Sequence, residues 1–334
     1  MKTKIGLMGF GNIGRKLYSE ILKYENIEVS AISDIGNPKI LEYMLKQEFD
    51  NTKDVVLDKN YLIYGSKRAR ILNAINPGEV AWDIFGVDFV IDATGKFNSL
   101  EQMRLHLDAG AKRVIISNLP DNEIDRLVVF GVNDNSISLE DRTISAGSST
   151  MNALSLLLKS LLKYEIDAVN MTTIHSFTSD QSLQDVAGID FRCSRSASEN
   201  IIPNSSDVDK WISKLFPKLN NKINSNALNV PVQKGSMLDL SIAFKSKNIS
   251  IEDVNNLVLE KSMISPSIVG YTEDPIVSSD IIGDPRSFVF DGSSTMKAGE
   301  NLIKLLAWYD NGHCHATRIL DVIQSYTKLE GFNK

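Results

Sequence analysis

Two stretches of this chain combine residue types that can do chemistry. Near the middle, Ser148, Ser149 and Thr150 come shortly before the apolar run from Ala153 to Leu162. Small hydroxyl residues there are typical N-caps of a buried helix, and the first amides and dipole of such a helix attract negative charge. The stretch therefore predicts either a simple helix cap or a helix start that serves a reacting group.

The second stretch lies near the N-terminus, where a short apolar strand from Lys4 to Met8 runs into Gly9-Phe10-Gly11-Asn12-Ile13-Gly14 and then into a helix. Glycines at these places permit a tight turn and let a pyrophosphate approach the helix N-terminus. The next strand ends at Asp34, about 20 residues later, where a carboxylate accepts from the ribose hydroxyls of NAD and repels the extra phosphate of NADP. A plain turn aspartate is the alternative, but the ordered combination predicts a dinucleotide site.

Alternating strands and helices must position these residues. The strand Asp88 to Ile91 leads to Thr94-Gly95, the strand from Arg113 ends at Ser117, and a further strand is predicted from Leu127 to Phe130. Such alternation implies a parallel sheet, and ligands of these sheets lie at the carboxyl ends of the strands. Thr94, Gly95 and Ser117 are therefore expected near the nucleotide.

Length and composition narrow the class of protein. A chain of 334 residues exceeds one ordinary hydrophobic core, so two domains are expected. The net charge of −6 and the scattered cations argue against a nucleic-acid partner. The two cysteines have no metal-binding or disulfide spacing, and adjacent helical residues in His313-Cys314-His315 point about 100 degrees apart, so no metal is expected. Without a signal peptide or a membrane-length apolar run, a cytoplasmic protein that binds no membrane is expected.

Motifs along nearly the whole chain resemble one family. They are Lys4 to Arg15, Ala111 to Ser117, Gly131-Val132-Asn133, Met171 to Ser176, Glu199 to Pro203, Gly270 to Glu273, and Trp308-Tyr309-Asp310-Asn311. Together they are similar to phosphorylating glyceraldehyde-3-phosphate dehydrogenases.

The resemblance implies an α/β fold, with a Rossmann dinucleotide-binding domain plus an α+β catalytic domain built on a mixed sheet. The NAD-binding domain would span 1–147 and be completed by the C-terminal helix 312–334, and the catalytic domain would span 148–311. The long polar loop between Phe177 and Asn200 matches a family loop that packs against a neighbouring subunit's cofactor, which implies a homotetramer.

The resemblance also assigns roles. Ser149 and His175 fall on the catalytic positions. NAD contacts fall on Gly9, Phe10, Gly11, Asn12, Ile13, Gly14, Asp34, Thr94, Gly95, Ser117 and Asn311. Substrate contacts fall on Ser148, Thr150, Thr178, Arg192, Arg195, Ser206 and Asn229.

Several of these positions depart from the family pattern. The family's nucleophilic cysteine is Ser149 here, and a serine hydroxyl is far less acidic than a thiol with a pKa near 8.5. The loop arginine that helps to hold the substrate phosphate is Cys193, although Arg192 and Arg195 flank it. In the second anion site the family Thr-Gly is Ser206-Asp207 and the arginine is Asn229, so phosphate is expected to bind poorly. Cofactor contacts are weakened at Met8, Asn12 and Ile75.

These observations predict an NAD-dependent oxidoreductase that acts on an aldehyde or a related alcohol, without the thiol and phosphorolysis route. His175 would be the acid–base group, and Ser149 a hydrogen-bonding or weakly nucleophilic group. Two alternatives remain open: a non-catalytic NAD-binding paralogue with a regulatory or scaffolding role, and an engineered Cys-to-Ser variant of an active enzyme.

Overall fold

The computed structural model describes residues 2–178, 181–188 and 190–331. This part of the chain forms two compact units, one running up to Ser148 and resuming at His315, and the other comprising Ser149–Cys314. The unit boundaries at Ser148 and Cys314 lie close to the predicted domain limits 147 and 311. The predicted end of the C-terminal helix at 334 lies outside the described residues.

The strands of the described residues, in chain order, are β1 (Thr3–Met8), β2 (Ile27–Ser33), β3 (Val56–Asp58), β4 (Tyr61–Tyr64), β5 (Lys67–Leu72), β6 (Phe89–Asp92), β7 (Arg113–Ile116), β8 (Arg126–Leu127), β9 (Thr143–Ser145), β10 (Ile166–Ser176), β11 (Ile202–Ser205), β12 (Ile223–Val230), β13 (Ser236–Phe244), β14 (Val269–Thr272), β15 (Phe288–Asp291), β16 (Met296–Ala298) and β17 (Leu302–Tyr309). The α-helices are α1 (Asn12–Leu22), α2 (Pro38–Glu48), α3 (Leu100–Asp108), α4 (Ser149–Leu161), α5 (Val208–Leu215), α6 (Ile251–Ile264) and α7 (His313–Leu329).

The first unit is built on one sheet with the strand order β3-β4-β5-β2-β1-β6-β7-β9-β8. Strands from β5 to β8 in this order pair in parallel, and β3 and β4 add an antiparallel edge. After β1 the chain places β2 and then β3, β4 and β5 on one side of it, and it crosses over to place β6 on the other side of β1. Ligands of open parallel sheets bind at such a reversal, beyond the carboxyl ends of the two central strands.

Helices cover both faces of this sheet. Successive side chains of a strand point to opposite faces, and Ile5 and Leu7 of β1 pack in the core cluster that includes residues of α1 and α7. Met8 packs in the other cluster, with Trp82 and with Met103 of α3. This doubly covered parallel sheet confirms the predicted Rossmann architecture.

One predicted strand is shorter than expected. The run from Leu127 to Phe130 was predicted as a strand, but β8 ends at Leu127. The Asn133 side chain explains the early end, because its oxygen accepts from Val129 N at 2.7 Å and its amide donates to Leu127 O at 2.8 Å. These bonds occupy backbone groups that a longer strand would have used in its ladder.

The second unit has a mixed sheet with the strand order β11-β12-β10-β13-β17-β15-β14, to which β16 adds by pairing with β17. The pairs β10/β12 and β14/β15 are parallel and the others are antiparallel. This mixed sheet confirms the predicted fold class of the second domain.

Helix α4 is the buried centre of that unit. It packs against β13 and β17 of the sheet and against the helices α5 and α6. Residues of β13 alternate between buried and half-buried, as expected for a strand that is covered by helices on one face.

Among the described residues, no helix has the length and apolar character needed to cross a membrane.

Candidate active site

The glycine turn after β1 has the shape that a dinucleotide requires. Gly9 adopts a φ of +90°, and a Cβ placed there would lie 2.9 Å from Thr94 N. A Cβ on Gly14 would lie 2.1 Å from Gly9 O, so only glycine lets α1 pack so closely on the turn. A Cβ on Gly11 would meet nothing within 4 Å apart from its chain neighbours, as judged over the described residues. The turn is therefore tight on the protein side and open above Gly11, where a pyrophosphate would approach.

Helix α1 begins directly at this opening. Its first residues are Asn12, which is exposed, and Ile13, which is half-buried. The N-cap is Gly11, no side chain within the described part of the protein caps the helix, and the first turn contains no acidic residue. The first amides of α1 are thus left to a ligand, and the dipole there favours an anion.

Asp34 connects the end of β2 to the same turn. Its Oδ2 accepts from Phe10 N at 2.6 Å, and its Oδ1 accepts from Gly36 N at 2.7 Å. Each carboxylate oxygen can accept more than one hydrogen bond, so both can still accept from ribose hydroxyls. Phe10 itself is fully buried and packs edge-on against Tyr18.

Strand register brings the other expected nucleotide residues to this edge. Met8 at the end of β1 pairs with Ser33 and Asp92, and Asp92 pairs with Ile116. The segments that follow, which contain Asp34, Thr94-Gly95 and Ser117, therefore leave neighbouring strands on one side of the sheet. The Ser117 carbonyl accepts from His315 Nε2 of α7 at 2.6 Å, and burial lowers the pKa of His315 to about 4, so that imidazole is neutral.

These features fit NAD, although the family contacts at three positions have changed. Met8 is buried in the core, whereas Asn12 and Ile75 are exposed. In dinucleotide sites of this fold, a glycine turn, an open helix end and a carboxylate at the end of the second strand hold the pyrophosphate and the ribose. All three are present in this chain.

In the second unit, α4 begins at Ser149, so Ser148 occupies the cap position and Ser149 and Thr150 form the first turn. Ser149 and Thr150 are both buried. Thr150 Oγ1 lies 2.8 Å from the hydroxyl of Tyr309 at the end of β17, and burial raises the pKa of that phenol. This contact fixes the helix start against the end of the sheet.

His175 lies near the end of β10, at the same end of the sheet. Ser176 N donates to Ser236 Oγ at 3.1 Å, and Ser236 pairs with Tyr309 in the sheet. The Ser176 hydroxyl also donates to Asn311 Oδ1 at 3.2 Å. The structure therefore brings the starts of α4 and β13 together with the ends of β10 and β17, where His175 and Asn311 are found.

The ring orientation of His175 is set by the backbone. Its Nδ1 lies 2.6 Å from Ser176 O, and a carbonyl can only accept, so Nδ1 carries a proton. In the neutral ring Nε2 then has the lone pair, which is the form a general base needs. A carbonyl here takes the place that a carboxylate has in a Ser-His-Asp triad.

Asn229 belongs to a buried pair of amides beside this residue. In the parallel pairing of β10 and β12, Asn229 lies opposite His175. Asn229 Nδ2 donates to Gln181 Oε1 at 2.5 Å, and Thr178 N donates to the same oxygen at 3.2 Å. The two donors fix the orientation of the Gln181 amide, whose Nε2 is buried without a hydrogen-bond partner among the described residues.

The remaining candidates for substrate contacts lie elsewhere in the unit. Ser206 follows β11, and its carbonyl accepts from Ser225 Oγ, whereas Asn229 pairs with Ile202 at the other end of β11. Arg192 is exposed, and Arg195 forms an exposed ion pair with Asp185 at 3.1 Å. Exposed surface pairs of this kind contribute little to stability, so Arg195 is only weakly held.

Gln181, Tyr309 and Asp92 all hold candidate residues, and the sequence assigns a role to none of them. Gln181 and Tyr309 lie far from Asn229 and Thr150 in sequence, so no local spacing predicts their contacts. Asp92, by contrast, ends a buried strand two residues before Thr94, and that position in the sequence could have indicated its contact with Thr94.

The described residues contain no group of three His, Cys, Asp or Glu side chains arranged to hold a metal.

Comparison with known proteins agrees with this geometry. The sequence model of the glyceraldehyde 3-phosphate dehydrogenase NAD binding domain matches residues 3–100, and that of the C-terminal domain matches residues 148–311. The chain is 37% identical to a glyceraldehyde-3-phosphate dehydrogenase of Priestia megaterium, over 97% of this chain and 98% of the relative. It is 36% identical to that of Borreliella burgdorferi, over 97% of this chain and 100% of the relative. A third relative, glyceraldehyde-3-phosphate dehydrogenase 1 of Bacillus subtilis, is 35% identical over 96% of this chain and 97% of its own length.

A nucleotide-binding edge with NAD as its cofactor, a mixed-sheet second unit and this degree of identity lead to one conclusion. The chain belongs to the glyceraldehyde-3-phosphate dehydrogenase family and is an NAD-dependent dehydrogenase of that kind.

Proposed function

We propose that this protein oxidises an aldehyde, as its hydrate, or a related alcohol, without a covalent thiol intermediate and without phosphorolysis. The observation that carries the proposal is the tautomer of His175: Nδ1 donates to Ser176 O, so the lone pair of the neutral ring is on Nε2. A base within reach of a substrate hydroxyl is sufficient for hydride loss.

The reaction needs one proton acceptor and one hydride acceptor. NAD, when bound, supplies the hydride acceptor. His175 Nε2 takes the proton from the hydroxyl as the carbon–hydrogen bond breaks, so a hydrate gives the carboxylic acid and an alcohol gives the aldehyde. The carbonyl of Ser176 stabilises the resulting imidazolium by accepting from Nδ1.

Ser149 has a supporting role in this scheme. A serine hydroxyl needs a strong and well-oriented base to become a nucleophile, and His175 Nδ1 donates to a backbone carbonyl rather than to a carboxylate. Ser149 lies at the first position of α4, where the helix amides favour developing negative charge. It therefore donates a hydrogen bond to the reacting oxygen.

The side-chain amides of Gln181 and Asn229, which lie beside His175, favour a substrate without a phosphate group at that place. Both side chains are more than nine-tenths buried, and their hydrogen-bond partners are each other and a backbone amide. Charge-assisted bonds contribute about 1.5–3 kcal/mol each and neutral ones about 0.5–1.5. Neutral amides therefore hold a phosphate less well than an arginine would, but they bind a hydroxyl or a carbonyl.

The test is NADH formation by the full chain over matched pairs of phosphorylated and unphosphorylated aldehydes and alcohols, with and without phosphate. The proposal expects turnover of an unphosphorylated compound, a loss of at least about a hundredfold in His175→Asn, and better binding of the phosphorylated partner in Asn229→Arg. Strong stimulation by phosphate would return the protein to the standard reaction. NAD binding without turnover of any compound would instead favour the non-catalytic paralogue.

We also propose that the protein is a cytoplasmic homotetramer. Support comes from the loop between β10 and β11, where the Phe191 side chain is 95% exposed in the isolated chain. Leu183 and Val186 of the same loop are also exposed, at 57% and 49%, so this loop carries several open apolar side chains rather than the single scattered ones that any surface has. Light scattering at micromolar concentration should give four times the chain mass of 37.1 kDa, and Phe191→Ser should lower it.

A further inference from the structure

A buried chain of hydrogen bonds runs through the first unit towards the nucleotide edge. Trp82 Nε1 donates to His106 Nδ1 at 3.1 Å, and His106 Nε2 lies 3.2 Å from Asp92 Oδ2. All three side chains are at most 3% exposed. An indole N–H can only donate, so Nδ1 must accept and the ring proton lies on Nε2, where it donates to Asp92. Trp82 thus fixes the tautomer that binds the carboxylate.

The other oxygen of Asp92 holds the segment that follows β6. Asp92 Oδ1 accepts from Thr94 N at 2.9 Å and from Thr94 Oγ1 at 2.6 Å. Thr94 Oγ1 in turn accepts from Lys96 N at 3.1 Å. The conformation of residues 93–96 therefore depends on a carboxylate that His106 orients from behind the strand.

This segment lies directly against the glycine turn. A Cβ on Gly9 would come within 2.9 Å of both Ala93 C and Thr94 N, so the two backbones are in contact with no side chain between them. Ala93 N also donates to Met8 O at 2.8 Å, immediately before the turn. A shift of Thr94 would displace the turn whose amides and open space fit the pyrophosphate.

Trp82, at the end of the hydrogen-bond chain away from the nucleotide edge, is also held in place. The Trp82 ring lies against β1 at Gly6, where a Cβ would be 2.6 Å from the ring. Trp82 N donates to Ala109 O at 2.8 Å, just after α3. The indole is therefore held between the middle of β1 and the end of α3.

We propose that Asp92 and His106 are positioning residues for NAD. The buried hydrogen-bond chain Trp82–His106–Asp92 holds the segment 93–96 in contact with the glycine turn, and this contact sets the affinity of the protein for the dinucleotide. Neither residue needs to touch the cofactor. The proposal concerns binding, and it stands or falls independently of any turnover.

Two substitutions of His106 separate the bond to Asp92 from simple packing. In His106→Gln the side-chain amide reaches the place of Nε2 and still donates to Asp92, whereas in His106→Asn the shorter amide reaches only the place of Nδ1 and can accept from Trp82. Calorimetry with NAD should give an affinity within about threefold of the unsubstituted protein for Gln and about tenfold weaker for Asn, the loss of roughly one such bond.

Met103→Ala is the matched control, because Met103 is fully buried one turn earlier on α3. It should lower the thermal midpoint and leave NAD affinity unchanged. Equal NAD affinity in the Gln and Asn variants would overturn the proposal, as would a loss of affinity that follows the thermal midpoint across all three variants.

A second measurement needs no substitution. In the full chain without NAD, the backbone amides of Ala93, Thr94 and Lys96 should exchange slowly with deuterium, since each of them has an acceptor. Slow exchange before NAD is added would support the proposal, because the segment 93–96 would then be ordered without the cofactor. Exchange as fast as in an exposed loop, slowed only by NAD, would mean that the cofactor orders the segment and that the buried chain does not.

Discussion

Asp34→Asn is the substitution that tests the nucleotide site most quantitatively. The carboxylate accepts from two backbone amides, Phe10 N at 2.6 Å and Gly36 N at 2.7 Å. An asparagine has the same shape but only one acceptor oxygen, so one of these amides then faces an NH₂ group. Losing one bond to a charged acceptor costs about 1.5–3 kcal/mol, which corresponds to about a tenfold to hundredfold loss of NAD affinity if the turn must be restored on binding.

The same carboxylate sets the preference for NAD over NADP. Two unit charges about 4 Å apart repel by about 4 kcal/mol at an effective dielectric constant near 20, which suits a half-buried group such as Asp34. The unsubstituted protein should therefore bind NAD at least about a hundredfold more tightly than NADP. In Asp34→Asn this ratio should fall below about tenfold, because the repulsion is removed while the NAD contacts are weakened.

Calorimetric titration of both proteins with both cofactors measures all four affinities. Asp58→Asn, an exposed change on the edge strand β3, is the control and should leave them unaltered. Comparable binding of NAD and NADP by the unsubstituted protein would refute the role of Asp34, and so would an unchanged ratio in the variant.

Three further predictions follow from the same geometry. Ser149→Cys should be labelled by iodoacetamide near neutral pH faster than Cys193 or the fully buried Cys314, since a helix N-terminus lowers a thiol pKa, but phosphate-dependent NADH formation should stay absent; vigorous activity would mean that the phosphate sites were intact. Rates measured over a phosphate series at constant ionic strength should show no saturable rise, because Asn229 is paired with Gln181; saturation would reveal an anion site elsewhere. Burial lowers the pKa of His315 from 6.5 to about 4, so the unfolded chain takes up a proton first as the pH falls, and stability should drop between pH 6.5 and 4. The loss should reach about 3 kcal/mol in chemical unfolding, and His315→Gln should flatten that part of the profile; an unchanged profile would show that His315 is not its source.

Much of the first unit follows from local patterns in the sequence. The strand before Gly9, the helix after Gly14 and the acid at the end of β2 are each specified within a few residues, and parallel register then aligns their ends. The start of α4 at Ser149 is equally local, because small hydroxyl residues precede a long apolar run.

The contacts that orient the candidate residues are not local. Gln181 reaches Asn229 across 48 positions of sequence, and Tyr309 reaches Thr150 across 159. Periodicity and capping rules describe one element at a time, so they give no information on which side chains meet after the sheet has formed. Strand β8 shows the same limit on a small scale, since the Asn133 side chain takes up the backbone groups that would have extended it.

The central claim is that His175 removes the proton and that the chain forms no covalent intermediate. The most direct measurement mixes the NAD-saturated protein with an unphosphorylated aldehyde and follows NADH absorbance and the intact protein mass together. The account predicts NADH without any increase in chain mass, a loss of less than about tenfold in Ser149→Ala, and a loss of at least about a hundredfold in His175→Asn. An acyl group found on Ser149, or activity that disappears in Ser149→Ala while it survives in His175→Asn, would contradict it.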